Sequence, residues 1–153
     1  MTNPIVSPPT LDGFIAWSYW ALGVPTTAMS PTDVGWAYAY QVALDLVPCE
    51  INQASKDIYT LTVYNIGANN LIQFQQDYAG QTFWDDARKS YGINNFVAGV
   101  INSASDEGTG ESLTIGEGLQ NLDLLSLNLL KTPWGRQALA YMQALGQSPF
   151  GIS

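Results

Sequence analysis

The chain has 153 residues, of which 46% are hydrophobic and only 12% charged, about half the charged share usual in globular proteins. Its 13 acids against 5 bases give a net charge of −8, which argues against an ordinary DNA-binding surface, because such a surface neutralises phosphates with Lys and Arg. The absence of histidine removes Ser-His-Asp and Cys-His nucleophile systems and most zinc sites.

The length suits one domain, able to bury roughly two-thirds of its unfolded surface. With so few charges, Asn, Gln, Ser and Thr must cover part of the exterior, and protein contacts are expected to cover the rest. Five Trp, eight Tyr and five Phe point the same way, since aromatic residues favour interface cores. The single cysteine, Cys49, excludes an internal disulfide, so the fold suits a reducing cytoplasm. No basic n-region or apolar h-region of a signal peptide opens the chain. The run LDGFIAWSYWALGV, with its internal Asp, is too short to span a bilayer. A soluble protein made in the cytosol is expected.

In chain order, residues 1–9, MTNPIVSPP, read as a proline-punctuated extended arm of the kind a neighbour orders. A helix starts at Thr10, with its hydroxyl as N-cap and Asp12 in the first turn; Phe14, Trp17, Trp20 and Ala21 share a stripe, and Gly23 stops it. The tetrad SPTD predicts a second start, with Ser30 as N-cap, Pro31 at the first helical position and Asp33 near the amides. That helix, running through Val47, is apolar on most faces, with only Gln41 and Asp45 marking a polar side, so it is central or sandwiched at an interface.

The stretch from Asn52 to Tyr78 organises the rest. Ile58, Leu61, Ala68, Leu71 and Ile72 gather on one face, widened by Val63, Ile66 and Phe74, with Gln53, Lys56, Asp57, Asn69, Gln73 and Gln76 opposite. The segment YTLTVY alternates like a strand, but about 25 residues at about 1.5 Å each make a helix near 40 Å, too long for an ordinary strand. One long central helix is the expectation.

Gly80 then resets the chain. Thr82 caps FWDDARKSY, whose acids Asp85 and Asp86 precede Arg88 and Lys89 in the order that suits the helix dipole, and Gly92 ends it. INNFVAGVINSA reads as a short helix or a strand-like segment. SASDEGTGES, residues 103–112, is a small, acidic loop with few apolar anchors, expected to be mobile in the free subunit. LQNLDLLSLNLL favours helix, broken near Asp123. Thr132-Pro133 starts a last helix that Gly146 stops. The reading is an all-α helical bundle of five to seven helices, with strand possible only near 58–66 or 93–101. Its organisation is an N-terminal arm (1–9), one helical domain (10–146) and a short tail (147–153).

No constellation carries chemistry. Cys49, beside Pro48, has no cationic neighbour in sequence to activate it and reads as a structural thiol. Asp85 with Asp86, being adjacent on a helix, point in different directions, and Asp106, Glu107 and Glu111 sit in a loop too pliant for acid–base work. That loop also lacks calcium-hand spacing, and its GTG has no following Lys to hold phosphate. No catalytic, metal or cofactor-binding residue is assigned, and no cofactor is expected. The aromatic residues Trp17, Trp20, Trp36, Tyr38 and Tyr40 exceed what one small core needs and are the candidate subunit interface.

The run YTLTVYNIGANNLIQF, then YGINNFVAGVINSASDEGTGESL, then NLDLLSLNLLKTPWGRQALAYMQALG resembles a family of small structural proteins of tailed bacteriophages. The acid-Gly-Thr loop at Ser105 to Glu111 and the KTPWGR helix start at Lys131 to Arg136 carry the likeness, which spans residues 55–153 and leaves 1–54 uncovered. The resemblance implies a non-enzymatic virion protein, a head–tail adaptor (connector) forming a homo-oligomeric ring between portal and tail through which DNA passes. It would be assembled in the bacterial host cytoplasm, with portal and tail proteins as partners, no membrane association and no specific nucleic-acid binding. Another virion component, such as a tail-completion or capsid-associated protein, is the alternative. A small hydrolase is disfavoured by the missing histidine. The acids of the 103–112 loop are the candidates to face DNA in the lumen of such a ring.

Overall fold

The computed structural model describes residues 5–93 and 124–145. The expectations for INNFVAGVINSA, for the acidic loop with Asp106, Glu107 and Glu111, and for the stop at Gly146 lie outside the described residues, apart from Ile93. Among the described residues the protein is all-α, with no strand. In chain order the helices are α1 (Leu11–Leu22), α2 (Val34–Leu46), α3 (Cys49–Ala54), α4 (Lys56–Phe74), α5 (Phe83–Ser90), α6 (Leu124–Leu129) and α7 (Pro133–Leu145).

Local chemistry sets most of the boundaries. Thr10 Oγ1 accepts from Gly13 N at 2.9 Å to open α1, and Gly23 closes it at φ 68°. Thr132 Oγ1 accepts from Gly135 N at 3.0 Å to open α7 behind Pro133. Gly92, at φ 65°, follows the end of α5, while Asp85 and Lys89 pair at 2.9 Å one turn apart on its exposed side.

The single helix expected over residues 52–78 does not form. Ser55 is extended (φ −160°, ψ 118°), closing α3 through its N–H to Ile51 O and opening α4 by accepting from Ile58 N at 3.2 Å. A serine hydroxyl satisfies helix N-terminal amides better than it serves a helix interior, so the run splits there. At the other end α4 stops at Phe74, where Arg88 Nη1 donates to Ile72 O (3.0 Å) and Gln75 O (2.9 Å). The helix that remains has 19 residues, a rod of about 28 Å. The strand-like alternation of YTLTVY is absorbed into it: Thr60 Oγ1 and Thr62 Oγ1 donate to Lys56 O and Ile58 O one turn back, at 2.9 and 2.7 Å.

A second start also moves. Asp33, not Ser30, is the N-cap of α2, accepting from Gly35 N at 2.7 Å, while residues 30–32 form a turn before the helix. For α5, Thr82 occupies the cap position without a capping bond. The carboxylate of Asp77 does the capping instead, accepting from Trp84 N (2.8 Å) and Asp85 N (3.0 Å).

α4 is buried on most of its circumference. α1 and α2 pack against one of its faces and α7 against another, with α6 packed on α7 and bonded to α4 through Asn128, and α3 and α5 at its ends. The first face is made possible by glycine: a Cβ at Gly67 would sit 2.6 Å from the Phe14 ring, and one at Gly13 would sit 2.4 Å from Tyr64 Oη. Around Phe14 gather Trp36, Tyr40 and Tyr64, at ring-centroid distances of 5.8–6.1 Å. The second face carries Asn69 and Gln73, which periodicity assigns to the solvent side; Asn69 is fully buried because α6 and α7 cover it. The arm reaches the same bundle: Ser7 Oγ bonds Asp57 Oδ1 (2.7 Å) and Lys56 O (3.2 Å), and Ile5 packs on the core.

Gly135 marks a tight approach to backbone, since a Cβ there would meet the backbone oxygen of Leu129 at 2.1 Å. Gly135→Ala must push α7 away from the α6 corner, and a loss of about 2–3 kcal/mol is expected, read as a lower midpoint in urea denaturation.

Candidate functional site

The loop between α1 and α2 and the segment after α4 are tied into one corner. Tyr19 Oη donates to Met29 O at 2.7 Å, and Trp36 Nε1 donates to Ser30 O at 2.8 Å. Ser30 N donates to Tyr78 Oη at 3.0 Å, and that hydroxyl in turn donates to Asp33 Oδ2. The bond to Asp33 is the leading reason the Tyr78 phenol is held above its ordinary pKa, because it stabilises the protonated form. Burial raises the Tyr19 and Tyr40 phenols in the same sense.

This clamp fixes how α2 and α4 run past each other. Residues 34–39 of α2 face residues 70–75 of α4 in antiparallel sense, with Asn70 Nδ2 donating to Ala39 O at 3.3 Å. Between them opens a groove of about 390 Å³ with Ala39 and Leu71 as its floor and Val34, Tyr38 and Phe74 on its rim. Those three rim residues are 82%, 63% and 57% exposed. A smaller hollow of about 290 Å³ lies between Leu22 and the α5 residues Phe83 and Ala87.

The five aromatic residues expected at a subunit interface divide. Trp17, Trp36 and Tyr40 are buried within the chain, Trp36 completely, so they belong to the core and cannot meet a partner. They are consumed by the ring cluster around Phe14, which needs more aromatic volume than composition suggested. Trp20 is 71% exposed on α1 and Tyr38 stands on the groove rim. Sequence reasoning missed Val34 and Phe74. Val34 follows the cap Asp33 directly, a position that projects outward. Phe74 was assigned to the buried face, but it is the last residue of α4, where the helix leaves its neighbours.

Cys49, at the first position of the six-residue α3, is exposed. Among the described residues no three His, Cys, Asp or Glu side chains cluster as metal ligands, and no helix is long and apolar enough to cross a membrane. This corner presents an apolar trough with aromatic edges, with Asp33 capping α2 at one end and Asp45 exposed near the other. No protein-family model, curated protein or solved structure matches the chain.

The division of the aromatics has a direct check. Trp36→Ala should cost about 3–5 kcal/mol of folding stability, as expected for a fully buried indole. Trp20→Ala, at an exposed position, should stay within about 0.5 kcal/mol of wild type in the same denaturation series.

Proposed function

We propose that the chain is a structural subunit of a tailed-phage virion, acting as a head–tail adaptor that assembles with itself into a ring joined to portal and tail. The observation that carries this reading is the groove rim, where Val34, Tyr38 and Phe74 expose apolar surface side by side. Apolar side chains so exposed on a chain with only 12% charged residues favour burial against another protein. The resemblance over residues 55–153 supplies the virion setting and the station between head and tail. The net charge of −8 suits a passage for DNA, because a negative wall repels phosphate and lets a duplex move without sticking.

Native mass spectrometry across micromolar concentrations tests the reading. A closed oligomer of defined copy number is expected, with no retention of duplex DNA even at low ionic strength, where non-specific binding is strongest. An oligomer that forms only with added capsid or tail proteins would move the assignment to another virion component. A chain that stays monomeric alone and with those proteins overturns it.

A further inference from the structure

We infer that the α2–α4 groove of one copy receives the outward face of α7 from a second copy, so that the contact is head-to-tail rather than symmetric. The inference rests on the self-assembly proposed above and names the two surfaces that meet.

Charge supplies the argument. From residue 11 to 46, through α1 and α2, the chain carries Asp12, Asp33 and Asp45 and no Lys or Arg. From residue 124 to 145, through α6 and α7, it carries Lys131 and Arg136 and no Asp or Glu. The neighbouring α3 adds one acid, Glu50, so the described residues 49–54 and 124–145 together carry two bases and one acid. The two sides lie on different faces of α4, and α2 and α7 make no substantial contact with each other. Among the described residues the opposite charges of α2 and α7 are therefore held on different faces of α4 within one copy, and a second copy would bring them together.

The shapes agree with the charges. On α2, Val34, Tyr38, Gln41 and Asp45 are exposed at spacings of three and four, one stripe with the groove at its start and a carboxylate at its end. On α7, Arg136, Ala140 and Ala144 are exposed four residues apart, with Gln137 and Gln143 exposed beside them, giving a face that carries one guanidinium and two alanines in line. Arg136 Nη1 donates to Leu130 O at 2.8 Å, and the other guanidinium donors remain for a carboxylate. Small residues on α7 let that helix approach the groove closely enough for Tyr38 and Phe74 to be covered, and aromatic anchors of this kind dominate interface energies. Because the two surfaces differ, each copy still offers one of each after pairing, so the contact repeats until it closes into a ring or runs on as a filament.

Charge reversal followed by sedimentation velocity tests the pairing, with helicity and melting of each variant measured first by circular dichroism. Asp45→Lys and Arg136→Glu lie at exposed positions and should each weaken self-association about tenfold, while the double variant regains wild-type association because the charges are merely exchanged. Tyr38→Ser, also exposed, should weaken it about thirtyfold. Wild-type association in the Arg136→Glu chain alongside loss in the Tyr38→Ser chain would mean groove-to-groove pairing and overturn the inference. Unchanged association in all variants of an assembling protein would overturn it while leaving the adaptor reading intact. A wild-type chain that never associates would remove both.

Discussion

The buried amide of Asn69 is the point on which the two halves of the described structure are joined. Its Nδ2 donates to Asn128 Oδ1 at 2.9 Å, Asn128 Nδ2 donates to Gln73 Oε1 at 2.7 Å, and Gln73 Nε2 returns to Asn69 Oδ1 at 3.0 Å. The ring of three amides is completed by Thr132 Oγ1, which donates to Asn69 Oδ1 at 2.8 Å and accepts from Gly135 N. Every donor finds an acceptor in one mutual arrangement of α4, α6 and α7, and any slip of register would leave a buried amide unpaired. An unpaired polar group of this kind costs about 1–3 kcal/mol, whereas an apolar seam would tolerate a slip. The network thus fixes where α7 lies, and with it the direction in which Arg136 points.

The same helix spends its remaining surface on the other side. Gly67 lets Phe14 lie against the α4 backbone, and the Phe14 ring gathers the aromatic residues of α1, α2 and α4 about itself. With two faces occupied, α4 has no apolar side to spare for a partner except at its last turn. Exposed apolar side chains gather where α4 ends and α2 begins, at Phe74, Val34 and Tyr38, while Trp20 and Val6 are exposed elsewhere. Exposed apolar side chains at that corner follow from the central helix being covered along most of its length.

What could be read from the sequence was what is decided locally. Thr10, Gly23, Gly92 and the Thr132-Pro133 pair announce helix ends because each satisfies or relieves backbone groups within a turn of itself. Ser55 is a capping residue of the same kind, but it lies inside a long run whose periodicity reads as one helix. Asp77 was beyond such reading, since it caps α5 from seven residues upstream of Trp84. Asn69 and Gln73 read as solvent-facing because periodicity reports polarity, not whether a polar side chain has partners. The aromatic residues were misjudged in the opposite direction. Trp20 and Trp36 are alike in composition, and only the path of α4 decides that one is exposed and the other sealed.

Several of the chain's few charges sit at helix ends. Arg88 is used on the last carbonyls of α4, Lys89 on Asp85, Asp77 on the first amides of α5 and Asp33 on the start of α2. These are helix termini, where a charge meets the partial charge of unsatisfied backbone and is worth most per side chain. Outside those termini, the outward stripes of α2 and α7 carry one charge each. The flanks are then covered by amides, alanines and stray aromatics, which water solvates less strongly than a carboxylate or an ammonium. On α2 the result is Val34 and Tyr38 beside Gln41, with Asp45 alone at the far end; on α7 it is two alanines behind Arg136. In the pairing proposed above, surfaces of that kind would lose little hydration on contact, and the single charge on each stripe would select which surface meets which.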